Sequence, residues 1–173
     1  TSELRPIPPR PAKPPPKPHP NHVLARKVAA PITLDGVIGP DEWPAATLLL
    51  TETPGRQPIK GTPAKGRVCH DGTMLYVTVT VPVTDATKVK LETRWGQGDG
   101  AEVVLRDASG PKPGLTFAIQ GYATGKHESM VDGGCPDLGK KIGDETKFAA
   151  KVGDKDWTGE WAIPLAAAGV TYR

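Results

Sequence analysis

Aromatic residues are scarce in this chain: two phenylalanines, three tyrosines and four tryptophans among 173 residues. Each tryptophan therefore needs a role, since so large an apolar side chain is costly to leave exposed without a purpose. Cysteine is rarer still. Cys69 and Cys135 are the whole complement, and the absence of any C-x-x-C pair argues against the common zinc and haem-attachment motifs. One reading joins them in a disulfide, which suits an oxidising compartment; the other leaves two isolated buried thiols. No run of 18 apolar residues occurs, so no helical membrane span is expected. The first residues carry no apolar signal-peptide core, so an exported form would have lost its signal. Nucleophile and metalloprotease signatures, G-x-S-x-G and H-E-x-x-H, are missing, and no plausible triad stands out, which argues against an enzyme.

The net charge of +3 is also less than it looks. Residues 1–21 carry Arg5, Arg10, Lys13 and Lys17 against Glu3 alone, which leaves 18 basic and 18 acidic side chains for the rest of the chain. A folded part that is formally neutral lacks the basic excess of a nucleic-acid binder, and no nucleic-acid partner is expected.

What is abundant is glycine and proline, 20 of each. Nine of the prolines fall in residues 1–21. Such a run lacks backbone donors and favours an extended polyproline II conformation. Residues 1–22 therefore read as a linker or tether, and residues 23–173 as the folded domain.

That domain has strand patterning throughout. Val23 to Val28 and residues 46–51 are short strand candidates, and Ala64 to His70 leads into a turn at Asp71-Gly72. Leu75 to Val81 alternates most clearly, with Leu75, Val77, Val79 and Val81 on one face and Tyr76, Thr78 and Thr80 on the other. Ala101 to Arg106, Leu115 to Tyr122 and a closing hairpin of Phe148–Val152 with Trp157–Ile163 complete the set. Residues 123–145, rich in Gly, Asp and Lys, read as a long loop with a short strand near Ser129 to Val131. Many short strands between regular turn signals predict an all-β fold, an antiparallel two-sheet sandwich with very little helix.

Four motifs point further. Leu34-Asp35-Gly36 is followed by Glu42-Trp43; Asp71-Gly72 by Leu75-Tyr76-Val77; Gly98-Asp99 by Glu102-Val103; and Trp157-Thr158-Gly159-Glu160 by Ile163-Pro164. In this order, over residues 30–165, they resemble carbohydrate-binding module family 9 and its DOMON-like β-sandwich relatives. The resemblance implies an immunoglobulin-like two-sheet architecture and a ligand that is either a sugar or, in other DOMON-like domains, haem b. It also makes Trp43 a structural plug at one end of the sandwich. Asp35 and Glu42 are expected to satisfy turn amides, Glu160 to cap or pair locally, and one of Trp157 and Trp161 to be core.

Trp95 lies in the glycine-rich run Arg94–Gly100, where the resemblance places a sugar-stacking tryptophan. It either offers a flat face to a sugar ring or folds down on the sheet. On alternating strands Glu102, Val104 and Arg106 share one face, and Thr116, Ala118 and Gln120 share another. If the two faces coincide, Trp95, Glu102, Arg106 and Gln120 form a carbohydrate-binding wall.

Structural calcium, which the resemblance allows, has Asp71, Asp85, Asp132 and Asp137 available but no EF-hand spacing. Haem b would need Met74 or Met130 with His70 or His127. Zinc is disfavoured because Cys69 and His70 are adjacent on a strand and point to opposite faces. The expected function is a non-catalytic module of a longer secreted, periplasmic or cell-surface protein, binding a polysaccharide or oligosaccharide. The competing readings are a haem b electron-transfer domain and a structural module that packs against other domains of its own chain.

Overall fold

A computed structural model describes residues 23–45, 47–51, 57–107, 110–112, 114–131 and 136–168. The Pro-rich segment expected over residues 1–22 lies outside them, as do Asp132 and Cys135. The described residues are mostly β. The strands are β1 (Arg26–Lys27), β2 (Leu48–Leu50), β3 (Ala64–His70), β4 (Met74–Pro82), β5 (Gly100–Arg106), β6 (Thr116–Tyr122), β7 (His127–Val131), β8 (Lys147–Val152) and β9 (Asp156–Pro164). One α-helix, α1 (Pro136–Glu145), and a single 3-10 turn (Ala86–Lys88) accompany them.

The strands form two sheets. The larger runs β1-β3-β4-β9-β8, with β2 also beside β3; the smaller runs β5-β6-β7. All pairings are antiparallel except β1 with β3. The turns follow from local chemistry. At the β3–β4 hairpin, Asp71 Oδ1 accepts from the backbone N–H groups of Thr73 (2.7 Å) and Met74 (2.8 Å), the Asx turn that short acidic side chains favour. Pro164 ends β9, and the Ala168 N–H reaches back to the Pro164 carbonyl at 3.3 Å in one helical turn.

One apolar cluster takes residues from both sheets. Val79, Trp161 and Ile163 of the larger sheet meet Phe117 and Ile119 of the smaller, with Leu75, Val77, Val81, Val103 and Leu105 packed around them. The faces turned toward this cluster are the inner faces. The closeness of the sheets depends on Gly121: a Cβ there would lie 2.4 Å from Phe148 and 2.5 Å from Trp161. Both Trp157 and Trp161 are buried, at 1% and 0% exposure, so the closing strand supplies two core tryptophans where one was expected.

Helix α1 replaces the last ten residues of the loop read over residues 123–145. Its sequence hides it, because Gly139 and Gly143 are poor helix formers. Tertiary contact supplies the stability instead. Ile142 is fully buried in the shared cluster. Ser129 Oγ donates to the Gly139 carbonyl at 2.6 Å, and His127 Nε2 lies 3.0 Å from the Gly143 carbonyl. Gly143, which weakens the helix, lets it lie close against β7, since a Cβ there would overlap the Ser129 hydroxyl.

The outer face of the larger sheet is also covered. Ile32, Trp43, Cys69, Tyr76 and Ala162 form a second buried cluster with Val28, Leu34, Ile38 and Met74 around it. The cover is fastened by Glu160, which is fully buried. Its carboxylate accepts from the backbone N–H groups of Asp35 (3.0 Å) and Gly36 (2.7 Å) and from the Trp43 indole (3.2 Å). Burial pushes the Glu160 carboxyl above its ordinary range, and these three donors oppose that rise. Gly36 has φ 77°, and a Cβ on it would sit 2.7 Å from Lys151, so the turn can press onto β8 only as glycine. Glu160 thus pairs across more than a hundred residues rather than locally, because the opening segment crosses β9 on this face. Trp43 accordingly plugs the middle of the outer face, not one end of the fold. Asp35 and Glu42 serve the turn amides: Asp35 Oδ1 accepts from Val37 (2.8 Å), and Glu42 from Thr33 (3.0 Å) and Gly39 (3.3 Å).

Val23 to Val28 contributes only Arg26–Lys27 to a ladder, and residues 46–51 only Leu48–Leu50. β2 already occupies the edge of β3 at Gly66, so β1 reaches only Cys69 and His70. Cys69 is a buried free thiol, and burial, with the charge of Asp71, pushes it up to about 11.

Candidate functional site

Among the described residues, the outer face of the smaller sheet has no such cover over its middle rows. Its register brings side chains from three strands into line. Glu102 faces Gln120 across β5–β6, and Gln120 faces Glu128 across β6–β7. The next row is Val104, Ala118 and Met130. Val104 and Met130 are 55% and 54% exposed. A polar row thus runs beside an apolar one on an accessible surface.

Gln120 is the unusual member. It is 9% exposed, yet its side-chain amide makes no hydrogen bond among the described residues. The amide nitrogen lies over Gly100, where a Cβ would stand 2.5 Å from it. Glu102 and Glu128 are exposed, and neither joins an ion pair among the described residues. Tyr122, buried at 1%, donates its hydroxyl to Glu128 Oε1. Burial and the Glu128 carboxylate both push the Tyr122 phenol up, so it stays a donor and holds Glu128 in one orientation.

Trp95 sits at the same end of the sheet. The Gln97 N–H donates to the Arg94 carbonyl at 3.0 Å, closing a β-turn with Trp95 second and Gly96 third. Gly96 has φ 75°, as the third position of a type II turn requires. The turn is tied to the start of β5 where Asp99 N–H donates to the Lys90 carbonyl (3.0 Å) and Lys90 N–H to Asp99 Oδ2 (2.8 Å). Trp95 is 39% exposed, so it is not a core residue.

Of the four residues expected in the wall, Glu102 and Gln120 are direct cross-strand neighbours. Arg106 shares their face but pairs with Thr116 at the other end of β5. Four residues of strand separate it from Glu102, roughly 13 Å, and its Nε donates to the Gly114 carbonyl at 3.2 Å. Glu128 and Met130 extend the surface beyond the sequence expectation. Only the β6–β7 register reveals them, because residues 127–131 alternate too briefly to show which strand they join.

The other candidates are dispersed. Asp71 is used up by its own turn: it accepts from Thr73 and Met74, and its Oδ2 takes the Tyr76 hydroxyl at 2.8 Å. Burial is the largest single influence and raises its carboxyl, but these bonds together outweigh it and hold the carboxyl well below the usual range. Asp85 caps the 3-10 turn through Thr87 (3.0 Å to N–H, 2.6 Å to Oγ1). Asp137 lies in the first turn of α1. Among the described residues no three His, Cys, Asp or Glu side chains are grouped to hold a metal. For haem, the register puts His70 on the inner and Met74 on the outer face of the larger sheet, and His127 on the inner and Met130 on the outer face of the smaller. No methionine shares a face with a histidine in this set.

Two hollows also open among the described residues. One of about 400 Å³ lies between β5 and the β2–β3 edge and reaches Glu102 and Val104 of this surface; the rest of its lining is mostly aliphatic, with Leu48, Leu50, Val77 and Leu105, and includes Arg67. It has no aromatic surface. The other, about 890 Å³, lies by Asp71, Tyr76 and Lys147, but Tyr76 is buried under the opening segment and Asp71 is engaged. No described helix is long and apolar enough to cross a membrane. Comparison with protein-family models, with curated proteins and with solved structures finds no match to this chain.

Proposed function

We propose that the chain is a non-catalytic carbohydrate-binding module. It is a two-sheet β-sandwich of the DOMON-like kind, tethered by the Pro-rich segment 1–22 within a longer secreted or cell-surface protein. The observation that carries this reading is the Glu102–Gln120 pair beside the exposed apolar row on an open sheet face. A sugar ring has a hydroxyl edge and a C–H face, and such a surface offers hydrogen-bonding groups for the first and an apolar strip for the second. Trp95, half-exposed on a rigid turn at the same end, supplies a stacking surface. The meeting of the opening and closing motifs at Glu160 supports the family resemblance, since residues far apart in sequence serve one packing need.

A shallow open face binds weakly, about 10–1000 µM, because only a small surplus survives the cost of association. Calorimetry with soluble oligosaccharides tests the reading. Binding in this range that Trp95→Ala removes, with the melting curve unchanged, is the expected result. A folded protein that binds no member of a glycan array would overturn it. A Soret band in the purified protein would replace it with the haem b alternative.

A further inference from the structure

The charge on this face says more about the ligand than its shape does. The groups on the outer face of the smaller sheet are, from β5, Gly100, Glu102, Val104 and Arg106; from β6, Thr116, Ala118, Gln120 and Tyr122; and from β7, Glu128 and Met130, with Lys126 just before it, its carbonyl accepting from Tyr122. The two carboxylates flank Gln120 in one row. On this face the two cations lie outside that row: Arg106 is tied to the Gly114 carbonyl, and Lys126 stands beyond Tyr122; off the face, Arg67 lines a hollow with Glu102 and Lys140 lines one with Glu128. Neither carboxylate is neutralised by an ion pair among the described residues, where the recorded pairs are Lys88–Asp85 and Lys140–Asp144.

Three observations turn this row into a site rather than a solvated charge cluster. Gln120, the residue between the carboxylates, is 9% exposed, and its side chain makes no hydrogen bond among the described residues. Glu128 is oriented by a buried tyrosine hydroxyl, so less ordering is needed when it binds. The row also borders the exposed Val104 and Met130. Two strand spacings separate Glu102 from Glu128, about 10 Å, which leaves room for a sugar ring between them.

We infer that the Glu102–Gln120–Glu128 row selects an amino sugar, a glycan residue bearing a free ammonium group, over neutral sugars and against uronates. This rests on the carbohydrate reading above. An ammonium between two unpaired carboxylates gains charge-assisted hydrogen bonds to both, the Gln120 amide takes a neighbouring hydroxyl, and the C–H face of the ring lies on the Val104–Met130 strip. A uronate carboxylate would meet like charge on either side, which is the repulsive half of the selectivity.

The test compares glucosamine, glucose and glucuronate oligomers of equal length by calorimetry, at a pH where the amine is charged and both glutamates are ionised. The glucosamine oligomer is expected to bind at least about tenfold tighter than the glucose oligomer, a difference of about 1.4 kcal/mol, and the uronate more weakly than either. Glu128→Gln keeps an acceptor for Tyr122 and should cut the glucosamine-to-glucose ratio several-fold; Glu102→Gln should do the same. Equal binding of the glucose and glucosamine oligomers, or an unchanged ratio in both variants, would overturn the inference while the carbohydrate reading stands. Equal affinity for a simple linear polyamine would overturn the sugar part of it. Failure of a folded protein to bind any of the three oligomers would remove the carbohydrate reading and the inference together.

Discussion

The outer faces of the two sheets make an instructive contrast. Both are read from the same alternating pattern, and on paper both are the polar side of a half-buried strand. On the larger sheet that side is dry. The opening segment crosses it, Glu160 gathers two backbone amides and an indole N–H, and Tyr76 and Thr78 are buried at 3% and 1%. On the smaller sheet nothing described crosses the middle rows, and Val104 and Met130 remain exposed. A carboxylate enclosed by donors is a structural fastener. A carboxylate on an open face, in no ion pair among the described residues, is available to a ligand. Residue type alone cannot separate the two roles; the surroundings do.

The contrast can be broken most severely at Glu160. Replacing it with Gln puts an amide donor among three donors. We expect a loss of roughly 3 kcal/mol or more in urea unfolding, since breaking a buried charged network leaves its partners unsatisfied. The amides of Asp35 and Gly36 should lose hydrogen-exchange protection at the same time. A loss below about 1 kcal/mol, the worth of one ordinary hydrogen bond, would mean that the opening segment is not held this way.

Gly121→Ala tests the contact between the sheets. Its Cβ would overlap Phe148 and Trp161, and overpacking of this kind costs about 1–3 kcal/mol. A neutral melting temperature would show that the sheets do not meet at this point.

The two covered carboxylates should respond to pH in opposite senses. Asp71 has a lowered pKa in the folded state, so its contribution is present above the unfolded value of about 3.9 and is lost as the pH falls below it. Glu160 has a raised pKa, so its contribution is present below the unfolded value of about 4.3 and is lost as the pH rises through the folded one. Asp71 is partly exposed, so solvent screening holds its share to about 1 kcal/mol or less. Asp71→Asn should flatten the acid side of a melting-temperature profile, and Glu160→Gln the side above it. The same slopes in both variants and the wild type would refute the assignment.

The smallest effect on stability is expected at the open face. Trp95→Ala should shift unfolding by no more than about 0.5 kcal/mol, as surface substitutions do, while removing sugar binding. Unfolding and binding lost together would make Trp95 part of the core and erase the contrast between the faces.

Sequence alone carried the class of the fold. The alternation of Leu75 to Val81, the Asp71-Gly72 turn and the closing pair around Gly153 are local signals, and the strands stand close to where they predict. It left Trp95 with two readings, a face offered to a sugar ring or a ring folded down on the sheet, and its 39% exposure is known only from the structure. It could not show α1, whose glycines oppose a helix until β7 packs against them. Nor could it show that Glu160 reaches Trp43, or that Glu128 completes a row with Glu102 and Gln120. Those facts depend on register and on which segment crosses which face. Alternation says that a strand has two sides. Whether a side is buried, open or poised for a ligand is decided by residues a hundred positions away, through packing and hydrogen bonds that exist only once the chain has folded.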